Sequence, residues 1–291
     1  MFVYLFDRRF DRLGANITTY IAQILFCHKN KYIIKFINNS KQNYRYCNSI
    51  FVKTLFNYID RFNEELYKIN ITDNEEFIIT TTHKHDWITT TSFSLNNIQV
   101  DFITYFHNYI YNDIISDFIK LSYNYNIPFD TSKTILVHLR LDDRSHSYDY
   151  NGYECSEYYK NKILHNEDCH LEFNDRINNQ APLSKNKLEN IINKAKNEFP
   201  GYRVILLTSP GSDTSFLDCY EVIKNHDVDL DLYLLTMCNV AILSRSTYAL
   251  SSLFFNNNKQ KIYVPLWGHF VCTGLNTIYD KINTSKIEYF Y

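Results

Sequence analysis

At 291 residues, with 45% hydrophobic and 21% charged, the chain has an ordinary globular composition and enough length for a core in each of two halves of roughly 130 residues. Its 30 basic and 32 acidic residues leave a formal net charge of -2, which excludes bulk nucleic-acid binding through excess positive charge, so any anionic ligand must be held by local groups. The 25 Tyr and 21 Phe against 6 Gly and 5 Pro, with abundant Asn, Ile and Lys, follow AT-rich codons, the bias of an AT-rich virus or parasite genome, and carry no functional signal.

In chain order, the short apolar run Phe2–Phe6 predicts a buried strand, and residues 8–14 a polar loop ending in Gly14. Ile17, Tyr20, Ile21, Ile24 and Leu25 then follow the spacing of an amphipathic helix, and residues 32–36 form the next strand. This is a βαβ unit, the building block of parallel sheets. Further along, 51–62 and 102–121 read as helices and 77–82 as a strand. From Thr134 the alternation is regular: strand 134–137, helices 156–164 and 184–197, strand 202–208, helix 230–238, strand 240–243, helix 248–255, strand 261–265. The helix from 184 carries Leu188, Ile191, Ile192 and Ala195 on one face, an N-cap at Ser184, and Pro200-Gly201 past its end. The expected organisation is an N-terminal α/β domain over 1–128 and a second over 129–291, with the break near 126–132.

The seven cysteines are scattered, odd in number and without a CxxC, which fits free thiols in a reducing, cytoplasmic compartment. The apolar start MFVYLF is too short for a signal peptide, and no segment reaches about 18 uninterrupted apolar residues, so no membrane-spanning segment is expected. The sequons at Asn16, Asn38, Asn70 and Asn283 are then unused.

Three polar motifs each follow a predicted strand of the second half: His138-Leu139-Arg140-Leu141-Asp142-Asp143, Thr208-Ser209-Pro210-Gly211-Ser212-Asp213, and Ser244-Arg245-Ser246-Thr247. In an open parallel sheet the carboxyl ends of the strands share one edge, where ligands bind, so the three should converge. Their chemistry suits phosphate. Arg140 can make a bidentate contact, Ser246 and Thr247 sit at a predicted helix N-terminus, and Asp143 and Asp213 can accept hydrogen bonds from sugar, base or Arg140. Ser209 and Ser244 complete the candidate set. Read blandly, Ser246 is only an N-cap, Gly14 only a strand-to-helix turn, and HLR a structural strand end.

The stretch HLRLDD resembles the H-x-R-x-x-D motif of fucosyltransferases of the α1,2, α1,6 and protein-O classes. DLYLLTMCNVAILSRSTYALSSLFF is similar to their late motif, SEYYKNKI to the Tyr-Tyr helix of the α1,2 group, and RLGANITTY to their Gly-Asn-Gln loop. Leu141 stands where the α1,2 group has a second Arg, and Ala249 where the late motif has its last Ser. The resemblance implies an α/β, GT-B-like fold of two Rossmann-like domains with a cleft between them. It implies GDP-fucose as donor, a glycan acceptor, inversion at the anomeric carbon, and no cofactor or obligatory metal. It further implies that Arg140 binds the β-phosphate with support from His138, and that Gly14 and Asn16 belong to a donor loop. The rivals are a transferase using another GDP- or UDP-sugar, and an inactive GT-B domain that binds glycan or scaffolds an assembly.

An inverting transfer needs a base opposite the leaving group. The densest polar cluster of the first half is TTTHKHDWITTTS, which offers His83, His85 and Asp86 beside Trp87, a carboxylate next to an apolar platform for a sugar. Asp86 and His83 are the candidate bases, and a solvated surface loop is the bland alternative. His83 and His85 lack a third spaced ligand for a metal. Asp229-Leu230-Asp231 has the letters of a D-x-D motif but opens a predicted helix, where the dipole favours acids.

Overall fold

The computed structural model describes residues 2–6, 13–36, 49–69, 77–80, 106–122, 124–141, 182–225, 227–255, 259–265 and 286–290. The polar loop with His83 and Asp86, the residue Asp143, and the expected helix over 156–164 lie outside them. The chain divides into two units, residues 1–124 and 125–291.

In the first unit the apolar runs β1 (Phe2–Phe6), β2 (Ile33–Phe36) and β3 (Phe77–Thr80) form a parallel sheet in the order β2-β1-β3. Helix α1 (Leu13–Asn30) links β1 to β2 and buries Ile17, Tyr20, Ile21, Ile24 and Leu25, the predicted stripe. It begins earlier than expected. Leu13 stands four residues before Ile17, so the apolar spacing extends back one turn, and Gly14 and Asn16 fall inside the helix's first turn instead of a loop. Helix α2 (Ile50–Ile69) and α3 (Tyr111–Leu121), the latter entered through a π-turn at Phe106–Ile110, pack through an edge-to-face pair, Phe51 on Phe118, with ring centroids 5.2 Å apart. Asn63 on α2 closes the edge of β2: its side chain accepts from the Ile34 N–H (2.9 Å) and donates to the Ile34 carbonyl (2.8 Å).

The second unit holds a six-stranded sheet: β4 (Thr134–His138), β5 (Arg203–Thr208), β6 (Glu221–Lys224), β7 (Val240–Ile242), β8 (Lys261–Pro265) and β9 (Ile287–Phe290). Its order is β6-β5-β4-β7-β8-β9, and every pairing is parallel. Numbered within the unit this is 3-2-1-4-5-6, the order compatible with a Rossmann-like, doubly wound sheet. The central strands are buried along their whole length, which is why they read as continuous apolar runs instead of alternating ones. Residues Ile135, Val137, Leu206, Val240 and Ile242 share one core with α4 (Lys185–Glu198). Helices α5 (Val228–Met237) and α6 (Thr247–Ser251) are the unit's other α-helices among the described residues, α6 running on as a 3-10 turn to Phe255.

Helix α4 shows how local sequence sets an element. Ser184 caps it by accepting from the Lys187 N–H (3.4 Å), its predicted apolar face is buried, and Gly201 just past its end takes φ +82°, a conformation that glycine adopts without a Cβ penalty. Replacing Ser184 by alanine should lower the stability of this unit by about 1 kcal/mol, measured by urea unfolding; an unchanged midpoint would show that the cap contributes nothing.

Two strands went unread in the sequence, β6 and β9. Both are sheet edges of four residues and neither is fully buried, so neither carries a long apolar run. No helix among the described residues is long and apolar enough to cross a membrane.

Candidate functional site

Strand order decides where the chemistry gathers. The chain leaves β4 toward β5 and β6 on one side, and later returns to build β7, β8 and β9 on the other. The topological switch point therefore lies between β4 and β7, the place where open parallel sheets of this order take their ligands. His138 is the last residue of β4, and Ser244 follows β7 by two residues. The ladder continues one step past each strand, with the Leu139 N–H on the Leu207 carbonyl (2.8 Å) and the Leu243 N–H on the Tyr263 carbonyl (2.9 Å). The two motifs thus leave from stiff ends.

At that point the structure joins them. The Nδ1 of His138 lies 2.7 Å from the Ser244 hydroxyl, with both residues buried. Arg140 donates from Nη1 to the backbone carbonyl of Arg245 (3.3 Å) and is half-buried. The Tyr248 ring stands 6.0 Å from the His138 ring, and its hydroxyl donates to the Val228 carbonyl at the start of α5. Residues more than a hundred positions apart thus meet on one turn, Ser244–Ser246.

Ser246 is the residue before α6, but its side chain caps no N–H group of the helix, and its own N–H is turned back to the Ser244 carbonyl (2.7 Å). Thr247 is the first residue of that helix. With only five residues, α6 has little macrodipole to offer an anion, so charge at this edge must come mainly from side chains.

The loop after β5 is internally tied. The Ser212 hydroxyl lies 2.7 Å from that of Thr208 and 3.0 Å from that of Ser209, and Lys224 donates to the Ser212 carbonyl (2.6 Å). Asp213 accepts from the Ser215 N–H (3.0 Å) and so braces the 3-10 turn Ser215–Leu217. Ser209 and Asp213 are both exposed at the carboxyl end of β5. Gly14 and Asn16 belong to the first unit, and Asp143, Asp86 and His83 lie outside the described residues.

Two features were not singled out in the sequence. Arg245 is buried although it sits in a polar turn, and its presence between two serines was the available signal. The second is Asp227, the cap of α5. Asp227 caps the helix through the Asp229 N–H (2.9 Å) and Leu230 N–H (3.3 Å), and also accepts from the Tyr125 hydroxyl (2.7 Å). Asp229 and Asp231 occupy the helix's first turn, as expected for a D-x-D that opens a helix. Burial pushes the Asp231 carboxyl up to about 7, against a hydrogen bond from Asn225 and helped by the charge of Asp227. The same burial, joined by the charges of Asp231, Asp229 and Asp227, holds the Tyr248 phenol well above its usual range, so it remains a donor. Among the described residues, no three His, Cys, Asp or Glu side chains gather as a metal site.

Compared with protein-family models, curated proteins and solved structures, the chain matches none.

Proposed function

We propose that this chain is an inverting glycosyltransferase of the fucosyltransferase type, moving fucose from GDP-fucose to a glycan acceptor, with an α1,2 linkage, on a GT-B-like pair of Rossmann-like domains. The observation that carries the reading is the position of Arg140, anchored on the Arg245 carbonyl at the switch point of a 3-2-1-4-5-6 parallel sheet, where such sheets take nucleotides. The resemblance of its motif to H-x-R-x-x-D supplies the sugar class.

In this reading the acceptor hydroxyl attacks the anomeric carbon from the face opposite the diphosphate. The bond from that carbon to the diphosphate oxygen breaks, and its electron pair stays on the β-phosphate. The guanidinium of Arg140 meets this developing charge as a fixed donor, with no reorganisation at the moment of reaction. His138, tied to Ser244, braces the strand end from which Arg140 projects. The hydroxyl proton goes to a base, for which Asp86 and His83 are the candidates. Ser244, Ser246, Thr247, Ser209, Asp213 and Asp143 are assigned to the donor's phosphates, ribose and base, and Gly14 and Asn16, in the first turn of α1, to the donor as well. The enzyme works in the cytoplasm without a metal, on a nucleotide sugar and a glycan.

Calorimetry with GDP and UDP, followed by hydrolysis of a panel of GDP- and UDP-sugars, tests the reading. GDP should bind in the micromolar range, UDP more weakly, and GDP-fucose should be the best donor, with transfer unchanged in EDTA. No heat with any nucleotide would sink the enzyme reading. Binding of GDP with no turnover would leave an inactive glycan-binding or scaffolding domain, and loss of transfer in EDTA restored by Mn²⁺ would overturn metal independence.

A further inference from the structure

We propose that Thr208 and Ser212 are positioning residues of the nucleotide site, which together fix the Ser209 hydroxyl as a hydrogen-bond donor to a phosphate oxygen; the inference rests on the donor reading above. Three hydroxyls stand in a row at the carboxyl end of β5. The Ser212 hydroxyl lies 2.7 Å from that of Thr208 and 3.0 Å from that of Ser209. Thr208 and Ser212 are each 2% exposed, whereas Ser209 is exposed. The backbone around them is held. Residues 209–212 form a turn closed by the Ser212 N–H on the Ser209 carbonyl (3.1 Å), with Pro210 fixing φ at its second position, and Lys224 donates to the Ser212 carbonyl (2.6 Å).

Burial decides which way these hydroxyls point. Three hydroxyls carry three protons, and among the described residues their side chains make only the two bonds that join them. One proton is therefore left over. If Ser209 donated to Ser212 and Ser212 to Thr208, the spare proton would sit on buried Thr208; if both ends donated to Ser212, on buried Ser212. Either arrangement leaves a donor without an acceptor out of reach of water, which an exposed hydroxyl avoids. The remaining arrangement runs outward: Thr208 donates to Ser212, Ser212 donates to Ser209, and the Ser209 proton is turned to the exterior. Each donation polarises the next hydroxyl, so Ser209 is a stronger donor than an isolated serine.

The register sets that donor beside the Arg140 segment. His138 on β4 pairs with Leu207 on β5, and Arg140 and Ser209 each follow two residues later, past neighbouring strands roughly 4.8 Å apart. Both segments leave at the carboxyl edge, where such sheets take ligands. An outward hydroxyl donor next to a guanidinium suits an anionic oxygen, and the diphosphate is the group of the proposed donor that bears one.

Calorimetry with GDP, and with inorganic diphosphate as competitor, tests this on wild type, Ser209→Ala, Ser212→Ala and the double variant, each first checked for folding by circular dichroism. Ser209→Ala should weaken GDP about tenfold and diphosphate by a similar factor. Ser212→Ala should weaken GDP about threefold in the wild-type background and leave it unchanged in the Ser209→Ala background, because Ser212 acts only through Ser209. The same loss in both backgrounds, or lower stability with no change in affinity, would make Ser212 merely structural and overturn the inference. A Ser209→Ala loss confined to GDP overturns it as well, since the ribose or base would then be the acceptor. Should Ser212→Ala fail to fold because it orphans the Thr208 hydroxyl, Thr208→Val combined with Ser212→Ala removes both partners, and the same comparison of backgrounds decides. If wild type binds GDP and Ser209→Ala binds it equally well, the inference alone fails. If wild type binds neither ligand, the donor reading fails and the inference falls with it.

Discussion

On the donor reading proposed above, an Arg140→Ala chain should fold normally and transfer fucose about a thousandfold more slowly than wild type. Removing one preorganised donor from the place where charge develops costs roughly two to three orders of magnitude in rate, and Arg140 offers two parallel N–H groups where most such donors offer one. The loss should fall on kcat more than on KM, because the leaving diphosphate gains its charge only on the way to the transition state. Arg140→Lys keeps the charge but loses the planar fork, so it should recover only part of the rate. Folding should be spared: the residue is half-buried, lies beyond the end of β4, and its hydrogen bond to the Arg245 carbonyl is long at 3.3 Å. The measurement is steady-state kinetics with GDP-fucose beside a thermal melt. A variant with wild-type kcat would remove Arg140 from the chemistry, and one that unfolds would make it a structural residue.

Replacing Lys259 by methionine should stabilise the second unit by about 2 kcal/mol at pH 7. Lys259 is 2% exposed, and burial lowers its ammonium from 10.5 to about 8, with only partial opposition from Cys238. Its Nζ donates to the Cys238 carbonyl, the residue that closes α5. Below about pH 8 both folded and unfolded chains hold the proton, and the folded chain bears the whole cost of burying the charge, roughly 3 kcal/mol for this displacement. Methionine removes that cost and leaves the Cys238 carbonyl without its donor, a loss of about 1 kcal/mol. Between about pH 8 and 10.5 the unfolded wild type holds a proton that the folded form has released, so wild-type stability from this group rises with pH. The advantage of the methionine variant should shrink across that window, vanish near about pH 9.5 and reverse by about 1 kcal/mol near its upper end. Urea unfolding at pH 7, 9 and 10 reads the difference between the two proteins, which cancels the tyrosine and cysteine titrations they share. A variant less stable at pH 7, with a difference flat in pH, would mean that the lysine is held comfortably as a C-terminal helix cap.

Most of what is described of the second unit was legible because its signals are local. The face of α4 repeats at the helical period, Ser184 and Gly201 mark its ends, and β4, β5, β7 and β8 are apolar runs bounded by polar turns. The start of α1 was misplaced for a local reason too: a glycine among polar residues suggests a turn, while the apolar spacing already began at Leu13. Edge strands β6 and β9 gave little signal. A strand paired on one side and partly exposed needs no continuous apolar run, and its pairing is set by a neighbour that sequence proximity does not reveal.

The sequence by itself determined most of the described elements, the parallel character of the sheets through βαβ alternation, and the residue types gathered at strand ends. Those follow from backbone periodicity and from turn chemistry, which act within a few residues. Only the tertiary structure decided the strand order, and with it which motifs meet. The placement of β7 beside β4 puts His138 on Ser244 and Arg140 on the Arg245 carbonyl, while the loop after β5 is tied within itself and to β6. It also decided that Arg245 and Lys259 are buried, one near each end of the strands, because burial of a charge depends on what packs over it and not on its neighbours in the chain.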